Sequence, residues 1–271
     1  MPKIISIASS KGGVGKTTTA VNLSIALTKH YKKTLLIDAD PGKYCTLSLG
    51  LRENEIFGDI FDLFTYTKTF SEIVHKSSIP FLEVVPFRDI SIEEEQQLIN
   101  LAKNELVLKQ ALKNNSNHYD FIIIDCPPYL NGVTTNAILA SDSVIVPIKS
   151  SNYSVQAVKK TYDFIQRLNS KFNTSIGIEG ILLTMYEANT KTSFLTKKLL
   201  FSTYPNLTFK TTIPKNVSVT ESTFYKKPVI TYNPSAKASL AYMKLAEELI
   251  ENIETNFLMK STGLTHEDFH Y

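Results

Sequence analysis

The chain has 271 residues, of which 43% are hydrophobic and 20% charged, and its formal net charge is +3 at pH 7. These values are ordinary for a soluble globular protein, and nothing in the total charge demands a nucleic-acid partner. Cys45 and Cys126 form no Cys-x-x-Cys pair, so we expect neither a disulfide framework nor a zinc site, and a cytoplasmic location is predicted. The first apolar run stops at Lys11, too early for a signal peptide, and no segment approaches the ~18 apolar residues of a membrane span.

Apolar runs typical of strands buried on both faces alternate along the chain with segments of helical length. The predicted strands are 3–8, 34–38, 81–86, 119–125, 143–148, 176–184 and 207–213. The clearest helical spacing falls at 17–30, 93–113, 154–171, 192–204 and 235–254, with a short helix expected within 52–78. This alternation predicts an α/β fold: a single doubly wound, mostly parallel sheet with helices on both faces. One domain is expected over residues 1–256, and the tail, residues 257–271, is predicted to be poorly ordered.

A glycine-rich loop connects the first predicted strand to the first predicted helix, and residues 10–19 read Ser-Lys-Gly-Gly-Val-Gly-Lys-Thr-Thr-Thr. The glycines allow a tight turn that directs backbone N–H groups into one concavity, at the positive end of the following helix. Lys16 can reach the outer phosphates of a nucleotide, and the Thr17 hydroxyl can bind Mg²⁺. A glycine-rich turn with incidental lysines is the alternative, which the flanking strand and helix disfavour. The predicted nucleotide-binding residues of the loop are Lys11, Gly12, Gly13, Val14, Gly15, Lys16, Thr17 and Thr18.

Carboxylates follow two predicted strands, at the sheet edge where doubly wound folds bind their ligands. Asp38 and Asp40 end one strand in Leu-Leu-Ile-Asp-Ala-Asp-Pro, and Asp125 ends another before Cys-Pro-Pro. An apolar strand that ends in aspartate after a phosphate loop is typical of a magnesium–nucleotide site, because the carboxylate can hold a metal-bound water. Asp38 and Asp40 also suit an ordinary turn. The predicted metal-binding residues are Thr17, Asp40 and Asp125.

These motifs resemble those of a known family. The generic phosphate loop requires a glycine where this chain has Ser10, whereas Lys-Gly-Gly-Val-Gly-Lys-Thr-Thr resembles the deviant Walker A box of the ParA/MinD ATPases, whose signature is the early lysine. Leu-Ile-Asp-Ala-Asp-Pro and Ile-Ile-Asp-Cys-Pro-Pro look like the switch segment and the Walker B strand of that family. The resemblance covers about residues 4–249, and length and motif order are most similar to the Soj-like partition ATPases.

The resemblance implies an ATP hydrolase that depends on Mg²⁺, is slow and is stimulated by a partner protein. It implies that Lys11 crosses a two-fold interface to the nucleotide of a second subunit, so that ATP joins a homodimer, and that this lysine neutralises charge during phosphoryl transfer. Asp40 falls on the aspartate that activates the attacking water, so Lys11, Lys16 and Asp40 are the implied catalytic residues. The backbone at Pro214 and Asn216 would border the adenine.

The chain departs from the family pattern in its switch segment and in its DNA-binding positions. Gly42, Lys43 and Tyr44 stand where the family has Gln-Gly-Asn, which changes the switch loop that senses the γ-phosphate in the family. Asn189 stands in place of an arginine implicated in DNA binding, and Lys215 replaces the arginine of an Ile-Pro-Arg-Asn motif.

Positive charge is concentrated in residues 188–244, which contain nine lysines and a single acid, Glu221. Such asymmetry fits a basic face that contacts DNA phosphates without reading sequence, and a solvated lysine-rich surface is the alternative. The predicted DNA-binding residues are Lys191, Lys197, Lys198, Lys215, Lys226 and Lys227.

The favoured function is therefore an ATPase that dimerises with ATP, binds double-stranded DNA non-specifically on the nucleoid, and drives chromosome or plasmid partition with a ParB-like partner. The alternative is a MinD-like or ParC-like ATPase that positions a non-DNA cargo or the cell-division machinery. Membrane binding is disfavoured, because it would need a basic amphipathic C-terminal helix, whereas the last predicted helix carries Glu247, Glu248, Glu251 and Glu254. An electron carrier of the nitrogenase-reductase type would need cluster cysteines, and Cys45 and Cys126 fit no shared cluster.

Overall fold

A seven-stranded sheet forms the centre of the molecule in the computed structural model, which describes residues 1–130, 132–151 and 153–262. The strand order is β3-β4-β2-β5-β1-β6-β7, and only the edge pair β3–β4 is antiparallel. The predicted α/β fold, a mostly parallel sheet with helices on both faces, is confirmed. The strands are β1 (Lys3–Ile7), β2 (Thr34–Asp38), β3 (His75–Lys76), β4 (Leu82–Val85), β5 (Phe121–Asp125), β6 (Ser143–Lys149) and β7 (Gly177–Thr184).

The central strands are apolar throughout because each one supplies two hydrophobic layers. In β5, Ile122 and Ile124 pack in one cluster while Phe121 and Ile123 pack in the other, as the two-residue period of a strand requires. The first layer contains the buried residues of α3–α8 and the second those of α1, α10 and α11. The helices are α1 (Lys16–Lys29), α2 (Tyr44–Ser48), α3 (Ile60–Phe64), α4 (Ile92–Leu101), α5 (Val107–Asn115), α6 (Gly132–Leu139), α7 (Ser154–Phe172), α8 (Lys191–Thr203), α9 (Val217–Phe224), α10 (Val229–Tyr232) and α11 (Lys237–Thr262).

The helix predicted over residues 93–113 is two helices, α4 and α5. The buried side chain of Asn136, on α6, donates to the carbonyl oxygens of Ala102 at 3.2 Å and Asn104 at 3.0 Å. These carbonyls lie in the connection between α4 and α5, so a tertiary contact stabilises a break that the helical periodicity did not show.

The prediction of a regular strand over residues 207–213 was wrong. This segment runs beside β7: it exchanges backbone hydrogen bonds with Ile181 and donates one from Ile213 to the Leu183 carbonyl oxygen, but it forms only one isolated bridge, between Thr208 and Ile181. The ring of Phe209 fills the space above Gly180, where any side chain would collide with it. The apolar character of the segment therefore reflects packing against β7 rather than a full ladder.

Helix α11 extends to Thr262 and covers the second hydrophobic layer together with α1. Residues 263–271, the remainder of the predicted tail, lie outside the described residues. Among the helices described, none is both long and apolar enough to cross a bilayer.

Candidate functional site

The loop between β1 and α1 adopts a conformation that its glycines make possible. Gly13 and Gly15 have φ angles of +65° and +81°, in the left-handed region that residues with a side chain rarely adopt. Gly15 is the N-cap of α1, so the unpaired N–H groups of the first helical turn open at the loop. This is the arrangement in which a helix N-terminus binds an anion.

The loop is held from two sides by side chains of distant elements. Thr184, the last residue of β7, places its hydroxyl oxygen 2.8 Å from the carbonyl oxygen of Val14 and 3.0 Å from that of Ile148. At the loop entrance, Ser10 donates its hydroxyl to the carbonyl oxygen of Ala157 on α7 at 3.1 Å. The loop is thus fixed before any ligand arrives.

A cavity of about 620 Å³ opens over this loop. It is bordered by Lys16, Thr17 and Thr18 on α1, by Asp40, and by the exposed face of α2. Its volume lies in the range of typical small-molecule sites. The lining residues are Gly13, Gly15, Lys16, Thr17, Thr18, Asp40, Tyr44, Leu47, Ser48, Pro128, Met185, Thr223 and Lys226.

Two fully buried carboxylates, Asp38 and Asp125, lie side by side at the ends of β2 and β5, where the strand register pairs them directly. Asp38 accepts hydrogen bonds from the backbone N–H of Thr46 at 2.9 Å and from its hydroxyl at 2.8 Å. The Cys45 thiol donates to Asp125 Oδ2 at 3.3 Å. One ligand atom from each of Asp38, Cys45 and Asp125 lies within 4.8 Å of the others.

Burial raises the pKa of Asp125 to about 8, and repulsion by Asp38 adds to this rise. Burial likewise raises the pKa of Asp38 to about 7, with repulsion by Asp40 in the same direction and the hydrogen bonds from Thr46 opposing it. For Asp125, the Thr17 hydroxyl and the Cys45 thiol oppose the rise. Asp125 Oδ1 is buried and finds no hydrogen-bond partner among the described residues. Close carboxylates with an unpaired oxygen beside a Thr17 hydroxyl form a donor set that suits a hard divalent cation such as Mg²⁺.

Of the predicted metal-binding residues, Asp125 belongs to this cluster, whereas Thr17 and Asp40 border the cavity. Asp38 and Cys45 complete the cluster and are not predicted as ligands from the sequence, in which Asp38 also suits an ordinary turn. Only the structure shows that it is buried against Asp125. Cys45 follows the unusual switch residues, and no spacing rule places its thiol on Asp125.

The switch segment is held by contacts outside the cavity. Asp40 Oδ1 accepts from the backbone N–H of Gly42 at 2.9 Å, and its carbonyl accepts from that of Lys43 at 2.8 Å. Lys43 forms ion pairs with Glu53, at 3.4 Å, and with Asp89. Burial lowers the pKa of Lys43, but these two carboxylates outweigh it and the pKa is raised. Tyr44 therefore begins α2 in a fixed place on the cavity wall.

Lys11 and two further loop residues lie outside the cavity lining. The Lys11 ammonium is 3.5 Å from the hydroxyl of Ser151, which follows β6, and its side chain is partly buried. Val14 is buried, and Gly12 faces Pro128. Lys11 thus extends toward Ser151 and does not line the cavity over its own loop.

Pro214 and Asn216, predicted to border the adenine, do not line the cavity. Pro214 forms an isolated bridge with Tyr186, and the Asn216 side chain caps α9 by accepting from the Ser218 N–H at 3.0 Å. Met185, Thr223 and Lys226 form the cavity wall on this side instead.

The lysines predicted to bind DNA do not form one uniform surface. Lys215 pairs with Glu187 at 3.0 Å, and the Lys197 ammonium lies over the rings of Tyr186 and Phe201. Helix α8 carries Lys191 and Lys198 beside three exposed apolar side chains, which are Phe194 (61% exposed), Leu195 (51%) and Leu199 (49%). Lys226 lines the cavity, and its neighbour Lys227 is exposed elsewhere.

Comparisons with known proteins agree over nearly the whole chain. The AAA_31 family model, described as an AAA domain, matches residues 2–178. The chain is 34% identical to the sporulation initiation inhibitor protein Soj of Bacillus subtilis (strain 168), over 93% of this chain and 100% of that protein. It is 33% identical to the chromosome partitioning protein ParA of Myxococcus xanthus (strain DK1622), over 92% of this chain and 88% of that one.

A solved structure shows the same fold. The septum site-determining protein MinD of Pyrococcus horikoshii OT3, in complex with Mg-ADP, superposes with a TM-score of 0.77 at 24% identity. The match covers 92% of this chain and 96% of that one.

Proposed function

Because this chain belongs to the ParA/MinD family of deviant Walker A ATPases, we propose that it is an ATP-dependent dimerising ATPase that binds DNA non-specifically. In this proposal it drives chromosome or plasmid partition with a ParB-like partner, in the cytoplasm and on the nucleoid. Similarity to a chromosome partitioning protein over 92% of the chain supports this choice within the family.

The ligand of the cavity is ATP with Mg²⁺. The loop glycines and the start of α1 bind the phosphates, and Lys16 neutralises their charge. Thr17 and Asp125 hold the cation, with Asp38 beside Asp125 and Asp40 on the cavity wall as the further carboxylates within the site. The bound metal supplies charge neutralisation at the transferred phosphoryl group. Asp40, which borders the cavity and is fixed by the Gly42 N–H, orients the attacking water.

The proposal that two subunits act together is based on the position of Lys11. Its ammonium lies near Ser151, and Lys11 does not line the cavity of its own subunit. A cation in this place can reach the nucleotide of a second copy across a two-fold axis, so that each ATP is enclosed by both subunits. Binding of ATP then stabilises the dimer by mass action.

The test measures molecular size by light scattering and binding to a fluorescent DNA duplex, each with ATP, with ADP and without nucleotide. We expect dimers and salt-sensitive DNA binding with ATP only, because dimerisation doubles the basic surface. Lys11→Ala should bind ATP yet stay monomeric, whereas Lys16→Ala, the matched control, should lose ATP binding itself. ATP-dependent dimers in Lys11→Ala, or equal DNA binding with ADP and ATP at moderate salt, would contradict the proposal.

A second candidate function is the positioning of a non-DNA cargo or of the cell-division machinery by the same ATPase cycle. The exposed Phe194, Leu195 and Leu199 among the lysines of α8 favour it, because phosphate contacts make no use of such side chains. If the wild-type protein dimerises with ATP but binds no DNA at low salt, this second function replaces the first.

A further inference from the structure

Two cations, Lys16 and Lys226, border the cavity, and only Lys16 belongs to the phosphate loop. The sequence predicts Lys226, together with five other lysines, to contact DNA. The structure describes all six, and Lys226 alone among them lines the cavity. This difference needs an explanation from the local backbone.

The turn after α9 places the adjacent residues Lys226 and Lys227 in different surroundings. Lys226 has a φ of +49°, in the left-handed region. Its N–H donates to the carbonyl oxygen of Thr223 at 3.1 Å, and the Lys227 N–H donates to that of Ser222 at 3.0 Å, which closes the end of α9. A non-glycine residue keeps this backbone conformation only where its surroundings impose it. The turn thus fixes consecutive lysines in different surroundings.

The same turn packs against the end of the switch helix. A side chain on Gly50, which follows α2, would lie 3.6 Å from the Lys226 carbonyl oxygen. Tyr44, Leu47 and Ser48 of α2 line the cavity together with Thr223 and Lys226. One continuous wall therefore joins α2 to the turn, and it faces the loop that binds phosphate.

Lys226 borders the cavity and is exposed, so its flexible side chain can extend to a ligand there. The side chain is exposed, and the described residues place no carboxylate within ion-pair distance, 4.0 Å, of it. An unpaired cation across a cavity from a phosphate loop has its natural partner in an anionic ligand.

We propose that Lys226 is a nucleotide-binding residue, whose ammonium contacts the phosphates of ATP from the α9 side of the cavity. The inference rests on ATP as the ligand in the proposed function, and it removes Lys226 from the DNA-binding set. Since the wall that carries Lys226 also carries α2, this contact joins the end of α9 to the switch segment in the ATP-bound protein.

The experiment compares Lys226→Gln with Lys227→Gln, two adjacent variants that lose the same charge. ATP affinity is measured with a fluorescent ATP analogue and confirmed by calorimetry, at low and at moderate salt. We expect Lys226→Gln to bind ATP about tenfold more weakly at low salt, with a smaller loss as salt screens the contact. Lys226→Arg should restore the affinity. Lys227→Gln should keep the wild-type ATP affinity and weaken binding to the DNA duplex.

Several results would overturn the inference. One is an equal loss of ATP affinity in Lys226→Gln and Lys227→Gln, which would indicate a non-specific effect of the positive charge on this surface. Another is an unchanged ATP affinity in Lys226→Gln with weakened DNA binding, which returns Lys226 to the DNA-binding set. Thermal unfolding of each variant shows that a loss of affinity is not a loss of folded protein. Failure of the wild-type protein to bind ATP would instead refute the proposed function, so the two failures are distinguishable.

Discussion

Asp38 and Asp125 show how burial sets the chemistry of a residue before any ligand is bound. Both are fully buried and directly paired in register, so ionisation of one opposes ionisation of the other. Without a cation, the pair therefore favours a protonated state near neutral pH. A divalent cation removes this penalty, which couples metal binding to the release of protons.

We predict that the free energy of unfolding without Mg²⁺ and nucleotide decreases as pH rises from about 4 to about 8. The folded pKa values, about 7 for Asp38 and about 8 for Asp125, lie above the ordinary value of 3.8. The folded state therefore retains protons that the unfolded chain has released, and stability falls with pH until both carboxylates are ionised. Urea unfolding across this pH range measures the effect.

Asp125→Asn is the control for this pH dependence, since it keeps the size of the side chain and removes one titrating group. The fall in stability should be shallower in this variant, and saturating Mg²⁺ should reduce the fall in the wild type. Identical pH profiles in the two proteins would refute the assignment.

At the scale of elements, the site depends on a strand end far from the phosphate loop in sequence. Thr184 ends β7, and its hydroxyl reaches the carbonyl oxygens of Val14 and Ile148. A buried carbonyl that loses its donor costs free energy, so this hydroxyl holds both the loop and the carboxyl end of β6 in place.

Thr184→Val should therefore weaken ATP binding as well as the fold. The change keeps the shape of the side chain but removes the donor, and we expect a loss of about 1–2 kcal/mol of stability with roughly fivefold weaker ATP binding. Thr208→Val is the matched control, because its buried hydroxyl donates to the Tyr204 carbonyl oxygen at 2.9 Å, away from the loop. It should lower the melting temperature alone. Equal ATP affinities in the two variants would show that Thr184 does not position the loop.

The sequence predicted elements well where the signal is local. Continuous apolar runs located β1, β2, β4, β5, β6 and β7, and helical periodicity located α1, α7, α8 and α11. The break between α4 and α5 depends on Asn136, more than thirty residues away, and the irregular 207–213 segment depends on Phe209 against Gly180. Neither contact leaves a periodic signal in its own segment.

At the scale of the whole molecule, the sheet topology assembles the site. The parallel register places Ile7, Asp38 and Asp125 side by side at the carboxyl ends of β1, β2 and β5. The loop after β1 and the switch after β2 therefore meet the Asp125 strand at one edge, as the rule for doubly wound sheets requires. The sequence places these residues at one edge of the sheet because the rule needs only that the strands run parallel and end in them. The opposite wall, with Met185 and Lys226, arises from packing that no motif encodes.

Asp40→Ala should separate assembly from turnover in the whole protein. The cavity retains Lys16 and the loop, so ATP binding and the ATP-dependent dimer should persist, while the water loses its positioning carboxylate. We expect phosphate release to fall at least about a hundredfold, with dimers that outlast those of the wild type in light scattering. Lys16→Ala, the control, should lose dimers and turnover together. Steady-state phosphate release at the wild-type rate in Asp40→Ala would reject this role.

The two edges of the sheet limit how copies of this protein can associate. At one edge, β3 is a two-residue antiparallel strand; at the other, β7 is covered by the irregular 207–213 segment. Over the described residues, neither edge offers a long row of free backbone groups, so both are poor templates for another chain. Growth into filaments by strand addition is therefore suppressed at both ends. Under the proposed function, copies of this protein meet through surfaces that bound ATP creates and its loss removes, which keeps their association reversible.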